Sequence, residues 1–108
     1  MGEFDIDEYL KKIGRVELLA IEEEKVLAER IAKGDERAVE ALVDANARFV
    51  VALAAQYKNK GLSLEELIAI GNDAMAKAAA TFDAASTEPF VKYAVPFVRQ
   101  ALEERSGG

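Results

Sequence analysis

Ser63-Leu64-Glu65-Glu66-Leu67-Ile68-Ala69-Ile70-Gly71-Asn72-Asp73-Ala74-Met75-Ala76-Lys77-Ala78-Ala79-Ala80-Thr81-Phe82 decides the fold class of this chain. Ser63 and Glu66 have the spacing of a capping box, in which each side chain satisfies the other residue's backbone N–H, and a helix should follow to about Thr81. At about 100° per residue, Leu64, Leu67, Ile68, Gly71, Ala74, Met75, Ala78 and Phe82 share one broad face. Glu65, Glu66, Ala69, Asp73, Ala76, Lys77 and Ala80 form the other. Glycine in mid-helix costs roughly 1 kcal/mol relative to alanine, so Gly71 marks a place where another helix crosses closely.

Upstream, Lys58-Asn59-Lys60-Gly61 ends a long helical segment that Asp35 caps. Its stripe of Ala38, Val39, Leu42, Val43, Asn46, Phe49, Val50, Leu53, Ala54 and Tyr57 recurs at three and four residues. Asn46 is the polar member, so a kink or break is expected near it. Before that, a helix over about 21–33 should turn Ile21, Leu27, Ala28 and Ile31 inward and stop at Gly34. Glu22, Glu23 and Glu24 fill its first turn, where the helix dipole favours acids. Consecutive helical positions do not converge on one ion, so these three read as a solvated turn and not as a metal cluster. Asp5 with Glu8 as capping box and Gly14 as stop predict a first helix over about 6–13. Downstream, a polar connection over 83–88 leads to a last helix over about 89–104. Pro89 suits its first turn, whereas Pro96 falls mid-helix and should kink it. Stripes on separate helices can be buried only against one another, which predicts an all-α, single compact bundle of about five helices over 1–105, with 106–108 as a flexible tail. The expected core includes Leu27, Ile31, Leu42, Phe49, Leu53, Leu67, Ile68, Met75, Phe82 and Tyr93.

Composition limits the chemistry. With 108 residues the chain makes one domain that buries roughly two thirds of its unfolded surface. It has no cysteine and no histidine, which removes disulfides, thiolate metal sites and the commonest general base. There is no glycine-rich phosphate loop, no apolar run near the ~20 residues of a membrane span, and the acidic start is not a signal peptide. A soluble, cytoplasmic-type, monomeric protein without cofactor or metal is expected, and an enzyme is the weakest reading. Net charge is −6, from 20 acids and 14 bases. From Glu88 onward, Lys92, Arg99 and Arg105 are matched by Glu88, Glu103 and Glu104, so this stretch offers no positive field to a nucleic acid.

Three stretches carry a family resemblance: Ala45-Asn46-Ala47-Arg48-Phe49-Val50-Val51, Leu67-Ile68-Ala69-Ile70-Gly71-Asn72, and Tyr93-Ala94-Val95-Pro96-Phe97-Val98-Arg99-Gln100. In this order and spacing the chain resembles bacterial sigma factors, the promoter-recognition subunits of RNA polymerase, across their promoter-proximal helical core (region 2 with the region before it). The resemblance implies polymerase-core binding through Glu66 and Asn72. It also implies contact with single-stranded promoter DNA through Asn46, Arg48, Tyr93, Phe97, Arg99 and Gln100. Aromatic residues suit that task because flipped bases are held by stacking, worth about 1–3 kcal/mol each.

The chain also departs from the family. Ala69, Ile70 and Ala76 stand where the family has Gln, Glu and Met, and Pro96-Phe97 where primary sigma factors have two tryptophans. Tyr93-Ala94-Val95-Pro96 is similar instead to the sigma factors of sporulation and general stress. The basic residues between Phe82 and Phe90 are absent, and Glu104 replaces an arginine. Exposed alanine is what helix propensity alone selects, and Phe90, Tyr93 and Phe97 at spacings of three and four read as core more readily than as a stacking platform. The reading that follows is an engineered or de novo sequence on a sigma-like backbone, stable but with no assured activity and no partner. Its rivals are a working sigma-type domain that binds polymerase core and promoter DNA, and a protein-interaction module built on Ile70 and the outward alanines.

Overall fold

The computed structural model describes Glu8, Lys11 and residues 19–106. The helix expected over about 6–13 lies outside the described residues apart from Glu8 and Lys11, both helical and exposed. Five α-helices follow: α1 (Ile21–Ala32), α2 (Glu36–Ala45), α3 (Ala47–Ala55), α4 (Leu64–Ala80) and α5 (Phe90–Ser106). The described residues contain no strand.

Local chemistry sets the boundaries. Gly34 ends α1 with φ of +91°, a left-handed conformation that costs glycine nothing, and its N–H reaches the Ile31 carbonyl at 2.9 Å. The Asp35 carboxylate accepts from the N–H groups of Arg37 (3.0 Å) and Ala38 (3.4 Å), starting α2, and Arg30 holds it from the other side at 2.8 Å. That arginine holds the Asp35 carboxyl below its ordinary range, helped by the capped N–H groups. The long third segment divides at Asn46, as its polar residue foretold: Asn46 Nδ2 donates to the Leu42 carbonyl at 2.8 Å, closing α2 from within. Ser63 and Glu66 form the reciprocal capping box of α4, Glu66 N–H to Ser63 Oγ at 3.1 Å and Ser63 N–H to Glu66 Oε1 at 3.0 Å. Pro96 does not end α5, which runs unbroken to Ser106. Ser106, the first residue of the expected tail, is helical and buried, and 107–108 lie outside the described residues.

Helix α4 is the centre of the bundle. It packs most extensively on α5 and α3, also meets α2, and α1 rests chiefly on α2. The crossing predicted at Gly71 is present: a Cβ there would sit 2.6 Å from Cγ1 of Val50 and 3.5 Å from Cγ1 of Val98. Leu42, Val50, Leu67, Met75, Phe90, Val98 and Leu102 are fully buried around it.

Four expectations for the core need correction. Tyr93 is exposed, and Phe49, Phe82 and Ile31 are half-buried. On α5 the buried apolar side chains are Phe90, Ala94, Val98 and Leu102, a stripe of four-residue spacing. Tyr93 lies about 120° from the centre of that stripe at 100° per residue. Ile21, expected inside, is 41 % exposed, and the inward place one turn on is taken by Glu24, only 5 % exposed. Glu24 therefore does not belong to a solvated turn.

Candidate nucleic-acid and partner interface

Phe90, Tyr93 and Phe97, which sequence spacing groups together, are divided by the fold. Phe90 goes to the core, while Tyr93 and Phe97 are each 37 % exposed, among the few large apolar side chains at the surface. The rings form a continuous ladder from inside to outside. Phe90 meets Phe82 edge-on with centroids 5.1 Å apart, Phe82 meets Tyr93 at 5.6 Å, and Tyr93 meets Phe97 at 5.2 Å. These separations are those of favourable aromatic pairs. The Tyr93 hydroxyl is fixed by Thr81, 2.8 Å from its Oγ1. Tyr93 is thereby held from beneath by Phe82 and Thr81, and Phe97 stands beside it on the same helix, an arrangement that suits a flat, apolar ligand face.

Beside this platform an open groove of about 570 Å³ runs between α4 and α5. Glu66, Ala69, Ile70 and Asp73 line one wall, and Phe97 and Gln100 line the other. The fold thus brings a residue expected to bind polymerase, Glu66, onto one face with two expected to bind DNA. Glu66 is already committed to its cap. The Ser63 backbone N–H, then its hydroxyl, pulls the Glu66 carboxyl below its ordinary range.

The remaining candidates lie elsewhere. Asn72 is half-buried on α4, off the groove. Asn46 is buried (4 % exposed) with its amide turned onto Leu42, so it shapes the α2–α3 break and does not present itself at the surface. Arg48 is exposed near the start of α3. Arg99 points away from the groove and donates to Gln56 Oε1 at 3.3 Å, tying α5 to the end of α3. Gln100 donates to Glu104 at 3.3 Å, and of the charges balanced in the sequence Lys92 and Glu88 meet as an ion pair at 2.9 Å. Phe82 was missed as part of the surface assembly. Its place as the last member of the α4 stripe marked it as core, and only the fold shows that it supports Tyr93. Among the described residues no group of three or more His, Cys, Asp or Glu could hold a metal ion, and no helix is long and apolar enough to cross a membrane.

Comparison with known proteins places this geometry. Residues 6–37 match the family pattern of sigma-70 factor region 1.2, and residues 42–105 match sigma-70 region 2. The proteins named RNA polymerase sigma factor SigA from Bacillus sp and from Listeria monocytogenes serovar 1/2a are each 44 % identical to the chain over 94 residues. Those stretches cover 87 % of this chain and 25 % of each relative, so the chain spans about a quarter of their length. Identity of this extent overturns the expectation of an engineered sequence with no assured activity and no partner. Sigma-70 factors are transcription initiation factors and not enzymes. With both regions present in order and the second alone matching more than half of the 108 residues, the chain belongs to the sigma-70 family, spanning regions 1.2 and 2.

Proposed function

We propose that this chain is the promoter-opening module of a transcription initiation factor: α4 docks on RNA polymerase core, and Tyr93 with Phe97 holds unstacked bases of the non-template promoter strand. The observation that carries this reading is the exposed Tyr93–Phe97 pair, 5.2 Å apart and supported from below by Phe82. A base leaving the duplex loses its stacking partners, and an aromatic face restores them without reading sequence. Arg48 and Gln100 supply polar groups on the exposed surface for the sugar–phosphate backbone or base edges.

The charge arrangement shapes how such a module works. Lys92 is neutralised by Glu88, and the chain carries −6 overall, so phosphate attraction contributes little. Single-stranded DNA is therefore bound usefully when polymerase holds the module beside it, which raises the effective concentration of the strand. Ala69 and Ile70 on the outer side of α4 lack the polar groups found in the family, so the docking contact is weaker than a primary sigma factor's.

The test is fluorescence anisotropy of a non-template promoter oligonucleotide with the chain and polymerase core together. Binding should depend on both proteins, and Tyr93→Ala or Phe97→Ala should weaken it by about 5- to 150-fold, the range of one lost stack. Ala69→Gln with Ile70→Glu should strengthen co-elution with core. Absence of co-elution at micromolar concentration, together with indifference to both aromatic variants, would refute the proposal.

A further inference from the structure

We propose that Glu24 is a positioning residue for the stacking platform: its carboxylate on α1 fixes the first backbone N–H of α5 and so sets where Tyr93 and Phe97 stand. This inference rests on the DNA-binding reading above for its consequence, and on geometry alone for its contact.

Glu24 Oε1 accepts from the Phe90 N–H at 2.9 Å across 66 residues of sequence. The first N–H groups of a helix have no partner within it, and Pro89 just before α5 has none to offer. Phe90 is fully buried, so water does not serve its N–H, and an acceptor must come from elsewhere in the fold. Glu24 is that acceptor, itself 5 % exposed. Its negative charge also lies at the positive end of the α5 dipole. Burial pushes its carboxyl up from the ordinary range while the Phe90 N–H pulls it part of the way back. A buried carboxylate is costly unless it is well bonded, so its presence on an otherwise apolar stripe with Leu27 and Ala28 points to a positional task.

The contact lies at the root of the aromatic ladder. Phe90 supports Phe82, Phe82 supports Tyr93, and Tyr93 meets Phe97. Tyr93 is three residues after Phe90 on the same helix, so a shift of the first turn of α5 moves its ring directly. Apart from this bond α1 rests chiefly on α2. Glu24 is thus a tie from the region 1.2 segment (6–37) to the stacking helix of the region 2 segment (42–105).

Three substitutions separate acceptor, charge and reach. Glu24→Gln keeps an oxygen in place without charge, Glu24→Asp keeps the charge but withdraws it by one methylene, and Glu24→Ala removes both. Amide hydrogen exchange at Phe90 should rise about tenfold or more in the Asp and Ala variants, the size expected for one lost charge-assisted bond, and by less in Gln, which keeps a neutral acceptor. Exchange at Leu67 and Met75 should be unchanged in all three. The NOE between the Phe82 and Tyr93 rings should weaken in Asp and Ala, and oligonucleotide affinity in the presence of polymerase core should fall about fivefold or more with it. Uniform acceleration of exchange throughout the core would make Glu24 a general stability residue and overturn the proposal, as would Phe90 exchange and ring NOEs that ignore all three substitutions. If the wild-type chain with core fails to bind the oligonucleotide, the DNA reading falls, while exchange and NOEs still decide the role of Glu24.

Discussion

Replacing Gly71 by alanine sets two effects of opposite sign against each other. In an open helix the change would stabilise by about 1 kcal/mol through helix propensity and a less flexible unfolded chain. At this crossing the added methyl would lie 2.6 Å from Val50 Cγ1, 0.8 Å inside the 3.4 Å at which ordinary contact begins. Val50 cannot easily yield, because it is fully buried and a β-branched side chain in a helix has one strongly preferred rotamer. Overpacking of this kind costs about 1–3 kcal/mol, and the stiffness of the obstructing atom argues for the upper part of that range. Gly71→Ala should therefore destabilise by about 1–2 kcal/mol net, lowering Tm by roughly 4–8 °C for each kcal/mol in a domain of this size. Val50→Ala alone should cost about 2 kcal/mol for two lost carbons and the space they leave. In the double variant the methyl on residue 71 occupies part of that space, so the pair should be less destabilised than the sum by about 1 kcal/mol. Urea denaturation followed by circular dichroism measures all three. Stabilisation by Gly71→Ala with no coupling to Val50 would show that α3 and α4 do not cross at this distance.

Phe90→Ala should cost about 3–5 kcal/mol, as for a fully buried aromatic, whereas half-buried Phe49→Ala should cost about 1 kcal/mol; equal losses in chemical denaturation would contradict the burial pattern of α5 and α3. Asp35 and Glu66 both have carboxyls lowered in the folded state from ordinary values of 3.8 and 4.5, so the stability they lend is present above those values and lost as pH falls through the folded ones. Ser63→Ala should make the acid limb of the stability profile shallower and cost about 1 kcal/mol at neutral pH, read from Tm against pH. Glu24 has the reverse sign: its folded value lies above 4.5, so its contribution is present below that pH and declines as pH rises through the folded value, and Glu24→Gln should remove this decline. For DNA, the slope of log affinity against log salt should be shallower than about −1.5, because each neutralised phosphate of a single strand adds about −0.7 and Lys92 is already paired; a steeper slope would locate a basic surface not identified above.

Much of the fold was legible because capping chemistry and periodicity agreed. Asp35, Ser63 with Glu66, Gly34 and the break at Asn46 were each readable from one or two residues, since the donors and acceptors at a helix end are local in sequence. The close crossing at Gly71 was legible because a mid-helix glycine is unfavourable without a reason. Glu24 was not legible in the same way. Its partner is 66 residues away, and membership of an acidic triplet hid that it shares the inward spacing of Leu27 and Ala28. Tyr93 was misplaced because aromatic residues at three and four look like a core stripe. Ala94, Val98 and Leu102, at the same kind of spacing but with small and branched side chains, are the ones that fit the close approach of α4.

That competition for the core also bears on the proposed function. Two apolar stripes coexist on α5, and only one of them is buried. The close approach that Gly71 permits leaves room near Val50 and Val98 for branched and small side chains, and a ring in place of Val98 would not fit at 3.5 Å from the glycine Cβ position. Phe97 and Tyr93 are thus excluded from the core by the same crossing that holds the bundle together, and they appear at the surface as a consequence of how α4 and α5 pack. Phe82 then fastens Tyr93 at the end of α4, and Glu24 fastens the start of α5. The supports of the Tyr93–Phe97 pair are packing and hydrogen-bond contacts that do not depend on the charge around it. On the function proposed above, such a face would contribute orientation more than attraction, and suit a single strand delivered by a larger partner over one captured from solution.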